Sequence, residues 1–340
     1  MKVYKGNTGN TTEITIKKLY TGYGGTTKAV KKLYGRNASG KTILIYPLTK
    51  SLEESTWDEI SQISNAGKAS QYYKLGDTKS IRIQGLVGTK SYDVTINVVI
   101  IGFDHNSNLE GRGISFGCFL YGGQFTALVD DYNGQFSLTD GQKAFNIYHW
   151  YKRGNSYGGW KGSDIRYDIL GSTNQAPSGY GGDIESSRVG YDATSTTATS
   201  PVPNTLMAAL PSDLRAVMKP ITKYSDNSGN KDSSASAISA SVDYLPLVSE
   251  CEMYGSSNYE NSNAASYTSQ YDYFKNGFSQ YSVAAYPSSS TSYGITSAYL
   301  RNPYINDVRY WTRCVSLPPR SGAREQGSTG SFGLVSVFLV

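Results

Sequence analysis

Cysteine, histidine and charge are all scarce in this chain of 340 residues. Three cysteines, Cys118, Cys251 and Cys314, make an odd number with no zinc spacing. That argues against a disulfide framework or a structural zinc site, and leaves buried free thiols as the expectation. The two histidines, His105 and His149, sit in no metal-binding spacing, and no serine lies on a GxSxG elbow. Charged residues are only 17% of the chain, so uncharged polar groups must cover much of the surface. Residues 1–20 lack the apolar core of a signal peptide, and no stretch reaches ~18 apolar residues. The expectation is a protein made in a cytoplasm, with no membrane insertion.

Glycine and tyrosine fill the space left by these absences. There are 36 Gly and 29 Tyr against 10 Phe. Tyr supplies contact area at low entropic cost, while Ser, Gly and Asn supply adaptable hydrogen bonds, the mixture found on binding surfaces. The same composition suits a β-rich virion or extracellular protein with many turns. Net charge is +5. The lysines gather near the N-terminus (Lys17, Lys18, Lys28, Lys31, Lys32), and no basic stripe continues beyond them, so no nucleic-acid partner is expected.

A short repeat organises the first 47 residues. Ile16-Lys17-Lys18-Leu19-Tyr20 recurs as Val30-Lys31-Lys32-Leu33-Tyr34, each copy followed by a Gly-rich turn and a β-type segment. This reads as β-hairpins or a small meander, closed by Pro47 and only marginally stable alone. A helix follows, with Thr56 as N-cap, Glu59 completing a capping box, Ile60 and Ile63 on the apolar face and Gly67 as the stop. Residues 81–103 read as strands. A second helix is expected near 163–170, capped by Ser163 with Ile165 and Ile169 inward, and a third near 212–219, ended by Pro220. Residues 171–204 and 225–241 read as polar loops. Leu245 to Met253 returns to the core, and Phe332 to Val340 reads as a buried terminal strand.

Three motifs need weighing. Gly35-Arg36-Asn37-Ala38-Ser39-Gly40-Lys41-Thr42 satisfies the P-loop pattern, but Thr42 to Tyr46 is β-branched and ends at Pro47, so no phosphate-binding helix can follow and a hairpin turn is expected. Asp226 to Asp232 begins like an EF-hand loop but has Lys231 where Gly is required and Ala237 where Glu is required, which favours a solvated turn. Asp130 with Asp131, or Glu250 with Glu252, could serve a glycosidase, though ordinary surface or network roles are commoner.

A family resemblance runs in order over residues 50–340. It is carried by Thr56-Trp57-Asp58-Glu59-Ile60, Gly67-Lys68-Ala69, Leu75-Gly76-Asp77, Ile100-Ile101-Gly102-Phe103-Asp104-His105 and Gly158-Gly159-Trp160 to Ser163 and Arg166. It continues with Leu210-Pro211-Ser212-Asp213-Leu214 to Lys219 and Lys223, Leu247-Val248-Ser249-Glu250 to Gly255, Tyr299-Leu300-Arg301-Asn302-Pro303, and Gly333 to Val340. These residues resemble an uncharacterised domain common in phages and gut Firmicutes, itself similar to the C-type-lectin-like fold of formylglycine-generating enzymes and phage tropism determinants. The family ends on Arg-Pro where this chain has Val335-Ser336. Cys251 and Cys314 do not supply the active-site cysteine pair of the enzyme branch, and the lectin calcium motifs are absent.

The resemblance implies an α+β chain: a small N-terminal β-hairpin attachment segment over 1–47, similar to the start of phage tail and neck accessory proteins, then a C-type-lectin-like domain with long loops over 48–340. The function it implies is that of a phage virion appendage (tail tip, fibre or receptor-binding protein). Such a protein joins other virion proteins through 1–47 and binds a host cell-surface glycan or protein. It is not an enzyme, needs no cofactor, and forms a homo-oligomer, a trimer being favoured. The alternatives are a purely structural virion part, such as a capsid decoration or neck protein, and a cell-wall polysaccharide hydrolase. The expected binding residues are Tyr299, Arg301, Tyr304, Arg309, Tyr310, Trp311, Arg313, Arg320 and Arg324, because Tyr, Trp and Arg dominate interface hot spots. Pro318-Pro319 would stiffen their loop.

Overall fold

The computed structural model describes residues 2–7, 10–15, 20–23, 26–29, 32–36, 42–47, 50–87, 90–121, 124–125, 156–163, 165–173, 197–229, 231–275, 297–307, 310–317, 320–327 and 333–340. Within 2–47, 118–125, 297–299 and 310–334, and at 90 and 168, the description is of the backbone alone.

The N-terminal segment forms three antiparallel hairpins. They are β1 (Lys2–Asn7) with β2 (Asn10–Thr15), β3 (Tyr20–Tyr23) with β4 (Thr26–Ala29), and β5 (Lys32–Arg36) with β6 (Thr42–Pro47). Each copy of the repeat leads into one of the last two. The P-loop-like stretch joins β5 to β6 and is followed by a strand, so the hairpin reading holds. Among the described residues each hairpin pairs only with itself, which is not a continuous meander.

Helix α1 (Trp57–Asn65) forms where its caps dictate. Thr56 Oγ1 accepts from the Glu59 amide and the Glu59 carboxylate accepts from the Thr56 amide, so two donors that the first turn leaves free are satisfied. Ile60 and Ile63 are buried. After the short α2 (Ala69–Tyr72) the chain makes the central sheet. Its strands are β7 (Thr78–Val87), β8 (Lys90–Phe103), β9 (Ile114–Tyr121) beyond the one-turn α3 (Ser107–Glu110), and β10 (Gln124–Phe125). β8 lies between β7 and β9, all antiparallel.

The run Val98-Val99-Ile100-Ile101 explains the layering. Successive side chains on a strand leave opposite faces, so Val98 and Ile100 enter one apolar core and Val99 and Ile101 another. The first core holds α1 and the aromatic group Trp57, Phe116 and Phe338, with ring centroids 5.3–6.0 Å apart. The second holds Val248, Met253, Tyr271, Phe274, Leu300 and Val337.

The middle of the chain departs from its expected elements. The helix near 163–170 is a π-type turn over Ile165–Leu170, with Ile165 and Ile169 fully buried and Ser163 Oγ accepting from the Arg166 amide. Beyond α4 (Leu206–Ala209), the helix expected over 212–219 is only α5 (Ser212–Arg215). The polar loop expected over 225–241 is shorter than read, because its two ends, 225–226 and 238–241, belong to an antiparallel ribbon, β11 (Ile221–Asp226) with β12 (Ile238–Asp243). Its hydrophilic residues misled the reading because the ribbon's inward positions are polar: Lys223, Ser225, Ser241 and Asp243 are all buried.

Three short helices follow, α6 (Glu250–Tyr254), α7 (Ser262–Ala265) and α8 (Asp272–Lys275). A second sheet comprises β13 (Ser297–Pro303), β14 (Tyr310–Leu317), β15 (Arg320–Gly327) and β16 (Gly333–Leu334), in the order β15-β14-β13-β16. The expected terminal strand is β17 (Val337–Leu339), paired to β9, and the Val340 carbonyl accepts from Ser64 Oγ and the Ile114 amide. The chain is thus α+β with antiparallel sheets. Among the described residues no helix is long and apolar enough to cross a membrane.

Candidate functional site

The densest polar chemistry among the described side chains lies around Glu252, the third residue of α6. Ser249 caps that helix: its Oγ accepts from the Glu252 amide at 3.1 Å, and Glu252 Oε2 accepts from the Ser249 amide at 2.9 Å. Arg301 of β13 reaches across with both ends of its fork. Nη1 donates to Oε2 at 2.8 Å and Nη2 to Oε1 at 3.0 Å, while Nε donates to Ser225 Oγ and Nη1 also to the Leu247 carbonyl. Lys223 of β11 pairs with both Glu252 and Glu110, each at 2.7 Å, and donates to Tyr271 Oη at 3.0 Å. His105 stacks on Tyr271 at 3.7 Å between ring centroids. Its Nδ1 faces Glu110 at 3.2 Å and its Nε2 faces the Ser269 carbonyl at 2.8 Å.

Burial pushes the Glu252 carboxyl up, but the Arg301 guanidinium and the Lys223 ammonium overrule it and hold the group well below the usual carboxylate range. Glu110 behaves alike: burial raises it, and Lys223 and His105 bring it down. Burial and the two nearby carboxylates push the Tyr271 phenol well above its ordinary value. Each oxygen of the Glu252 carboxylate is engaged by a charged donor. The arrangement braces α3, α6, β11, β13 and the 268–271 turn against one another. A buried charge network of this kind is stable only when its members are paired, as here.

A second acidic motif sits at the same helix. Glu260 accepts from the amides of Glu250 and Cys251 and from Asn302 Nδ2, at 3.2, 3.1 and 2.5 Å. In return Glu250 accepts from the amides of Asn258 and Tyr259, at 2.9 and 2.8 Å. The loop and the helix start therefore clasp each other. Burial raises Glu260 to about 7, against the lowering effect of Asn302 and the Cys251 amide. Glu250 and Glu252, weighed from sequence as a glycosidase pair, are thus bound to different partners in a helix cap and an ion cluster. Cys251 is buried, and burial raises its thiol to about 11.

The third cluster joins Gly158-Gly159-Trp160 to the ribbon. Trp160 Nε1 and Arg166 Nε donate to the two oxygens of Asp243, at 2.9 and 2.8 Å. The turn beginning at Asp226, expected in solvent, is buried over Asp226, Asn227 and Ser228 and exposed only from Lys231 onward. Asp226 Oδ1 accepts from the amides of Ser228 and Gly229 and from Ser228 Oγ, and the Asp226 carbonyl accepts from the Trp160 amide. Gly159 and Gly229 both adopt positive φ. A Cβ on Gly159 would land on the Asp226 carbonyl oxygen, and one on Gly229 on the Ser156 carbonyl oxygen. Among the described residues no group of His, Cys, Asp or Glu could hold a metal ion.

Of the nine residues expected to form a binding face, seven have their backbone on the second sheet. Arg301 is corrected outright: at 1% exposure it belongs to the ionic cluster, because Glu252 needs a buried counter-charge. Tyr304 is half-buried, 6.0 Å from Tyr259 between ring centroids. Arg309 lies outside the described residues, as do Asp130, Asp131 and His149. The other six lie on the second sheet, and its register aligns three of them: Arg313 pairs with Tyr299 on one side and with Arg324 on the other. Tyr310 and Trp311 pair with Gly327 and Gln326, and Arg320 with Leu317. Sequence reading did not single out Glu110 or Glu260, nor the Ser249–Glu252 capping box, whose S-x-x-E spacing was a usable signal.

No family model, curated protein or solved structure matches this chain.

Proposed function

We propose that the protein is a bacteriophage virion appendage, a tail tip, fibre or receptor-binding protein, acting by binding rather than catalysis and without a cofactor. Residues 1–47 dock it on the particle. Residues 48–340 form a C-type-lectin-like domain that meets a host cell-surface glycan or protein. The observation that carries this reading is the difference in build along the chain. Among the described residues the strands of 2–47 form three separate two-stranded hairpins, whereas β7 to β10 and β17 make one five-stranded sheet. An isolated hairpin is marginal in water and gains stability by packing on something larger, which is what an attachment segment does. Binding rather than catalysis is supported by the cluster at Glu252, whose acid–base groups are engaged with one another. A trimer accords with the cyclic symmetry common in closed assemblies.

The test is deletion of residues 1–47. The remaining chain should stay folded by thermal unfolding, keep its attachment to host cells and no longer join particles. Normal incorporation of the truncated protein would defeat the attachment role, and failure of the full chain to bind cells would defeat the receptor-binding role. Light scattering of the purified chain should give three times the monomer mass; a monomer, both in solution and on the particle, removes the trimer.

A further inference from the structure

We infer that the outward face of the β11–β12 ribbon is a platform for a neutral saccharide, with Tyr267 as the stacking ring and Tyr224 behind it. This specifies the partner's chemistry within the binding role proposed above, on which it rests. Thr222 pairs with Val242, Tyr224 with Ala240 and Asp226 with Ile238, and alternate residues of a strand share a face. The opposite face, with Lys223, Ser225, Ser241 and Asp243, is the buried one. On the outward face Thr222, Tyr224, Ile238 and Ala240 are half-buried and Val242 is 44% exposed. Tyr267, from the turn after α7, lies flat on Tyr224, with ring centroids 4.1 Å apart and planes 8° from parallel. Tyr267 is itself 36% exposed. Among the described residues neither phenol hydroxyl has a hydrogen-bond partner. The pair therefore offers a broad ring surface with two polar tips left over, the combination an aromatic presents to an amphipathic ligand.

The platform is held in place by the chain itself. Asn106, in the left-handed region at φ 43°, donates from Nδ2 to the Tyr267 carbonyl at 2.6 Å. Thr268 Oγ1 donates to Glu252 Oε1 at 3.1 Å, and the Ser269 carbonyl faces His105 Nε2 at 2.8 Å. The residues after Tyr267 are thus tied to the buried ionic cluster, and a ring already fixed loses little freedom on binding. Charge and area then select the partner. The one charged residue that the register places on this face is Asp226, whose carboxylate is buried and accepts from the Ser228 and Gly229 amides. Lys223 points the other way, into its pairs with Glu110 and Glu252. Such a face gives an ionic ligand nothing to pair with, but suits the C–H face of a sugar ring laid on an aromatic. Single-stranded nucleic acid also stacks on aromatics, but it needs a positively charged groove beside them. A stable protein partner would need about 800 Å² on this side. The open part of Tyr267, 36% of the 150–250 Å² an aromatic side chain can bury, is about 50–90 Å². Val242 adds an area of the same order, and the sum stays well short of a protein interface.

The experiment uses the full chain and five immobilised polymers: dextran, mannan and galactan as neutral saccharides, a uronic-acid polysaccharide and a single-stranded DNA oligonucleotide. Binding to at least one neutral polymer is expected, unchanged as salt rises because no exposed charge is paired, with weaker binding to both anionic polymers. Tyr267→Ala should weaken binding at least tenfold. Tyr267→Phe, which keeps the ring and loses the hydroxyl, should weaken it severalfold, and Leu86→Ala, at an exposed apolar residue of β7, not at all. If Tyr267→Ala no longer unfolds cooperatively, Tyr267→Phe and Val242→Glu carry the test, each expected to weaken binding severalfold. The inference falls if no neutral polymer binds, if the Tyr267 variants bind as the parent does, or if DNA or the uronic-acid polymer binds more tightly than every neutral one. It falls too if Tyr267→Ala lowers the mass found by light scattering, since the ring then serves a second copy of the chain. Attachment of the parent chain to cells with no binding to any neutral polymer would overturn this inference alone, whereas no attachment to cells at all would overturn the receptor-binding role beneath it.

Discussion

Glu252 and Glu260 stand eight residues apart, are both buried, and both serve the N-terminus of α6, yet they shift in opposite directions. Burial is the largest influence on each and pushes each up. Glu252 has two formal cations in contact, Arg301 and Lys223, and ends far below the ordinary range. Glu260 has only N–H donors in contact, from two backbone amides and an amide side chain, and ends near 7. Amide donors offset part of the desolvation of a carboxylate, whereas a neighbouring full charge reverses it.

The comparison breaks most violently at Arg301. Arg301→Ala strands the Glu252 carboxylate with Lys223 alone, and loss of one partner of a buried pair costs about 3–5 kcal/mol. That is a large part of the whole stability of a typical domain, so urea denaturation should show a collapsed midpoint. Arg301→Lys, which restores the charge without the fork, should recover part of it.

Next in size is pH. Glu252 has a folded pKa below its unfolded value, so its contribution is present above about 4.5 and lost as pH falls further. Glu260 has the reverse sign: its folded pKa near 7 exceeds the unfolded 4.5, so its contribution is complete below about 4.5 and lost as pH rises through 7. Stability should therefore decline between these values, by about 3 kcal/mol from Glu260 at 1.36 kcal/mol per unit, with Asp226 and Glu250 adding in the same direction because burial raises both. Glu260→Gln should flatten this limb while leaving the acid limb intact. A wild-type curve that is level between pH 4.5 and 7 would show that the amides hold Glu260 ionised throughout.

Two smaller effects sharpen the same contrast. The capping box at α1 also uses a glutamate, but Glu59 has Lys50 at 2.7 Å. Thr56→Ala should cost about 1 kcal/mol, the usual worth of an N-cap, and read as a modest drop in midpoint. Arg82 and Asp93 form an ion pair of equally short distances in full solvent. Either alanine variant should leave the thermal midpoint unchanged, since water already screens both charges.

What the sequence made legible was local. The Thr56–Glu59 box, the Ile60 and Ile63 face, the strands within 81–103 and the apolar terminus all announce themselves by spacing within a few residues. The β11–β12 ribbon did not, because the alternation that marks a strand assumes an apolar inner face, and here Lys223, Ser225, Ser241 and Asp243 occupy it. The ionic cluster was illegible for another reason. Lys223 and Glu252 are 29 positions apart and Arg301 and Glu252 are 49 apart, so no window of sequence contains the pairing. Arg301 drew attention for its residue type, and the types that anchor interfaces are those that anchor buried ion pairs. The row of Tyr299, Arg313 and Arg324 lay within the segment read as a binding face, but only strand register brings the three together.

The close passage of Gly159 and Gly229 has a consequence for anyone who would diversify this chain. Randomising surface loops to retarget a binder treats glycine-rich turns as free positions. Here two of them are mutually exclusive with any side chain, and they belong to turns some 70 residues apart that share one space. A library that varied 156–160 or 226–229 would return glycine at both positions whatever ligand was used for selection. Correlated change is closed off too, because what each Cβ would strike is a backbone carbonyl, which no substitution can remove. In this turn the positions open to change begin at Lys231, where the chain emerges into water.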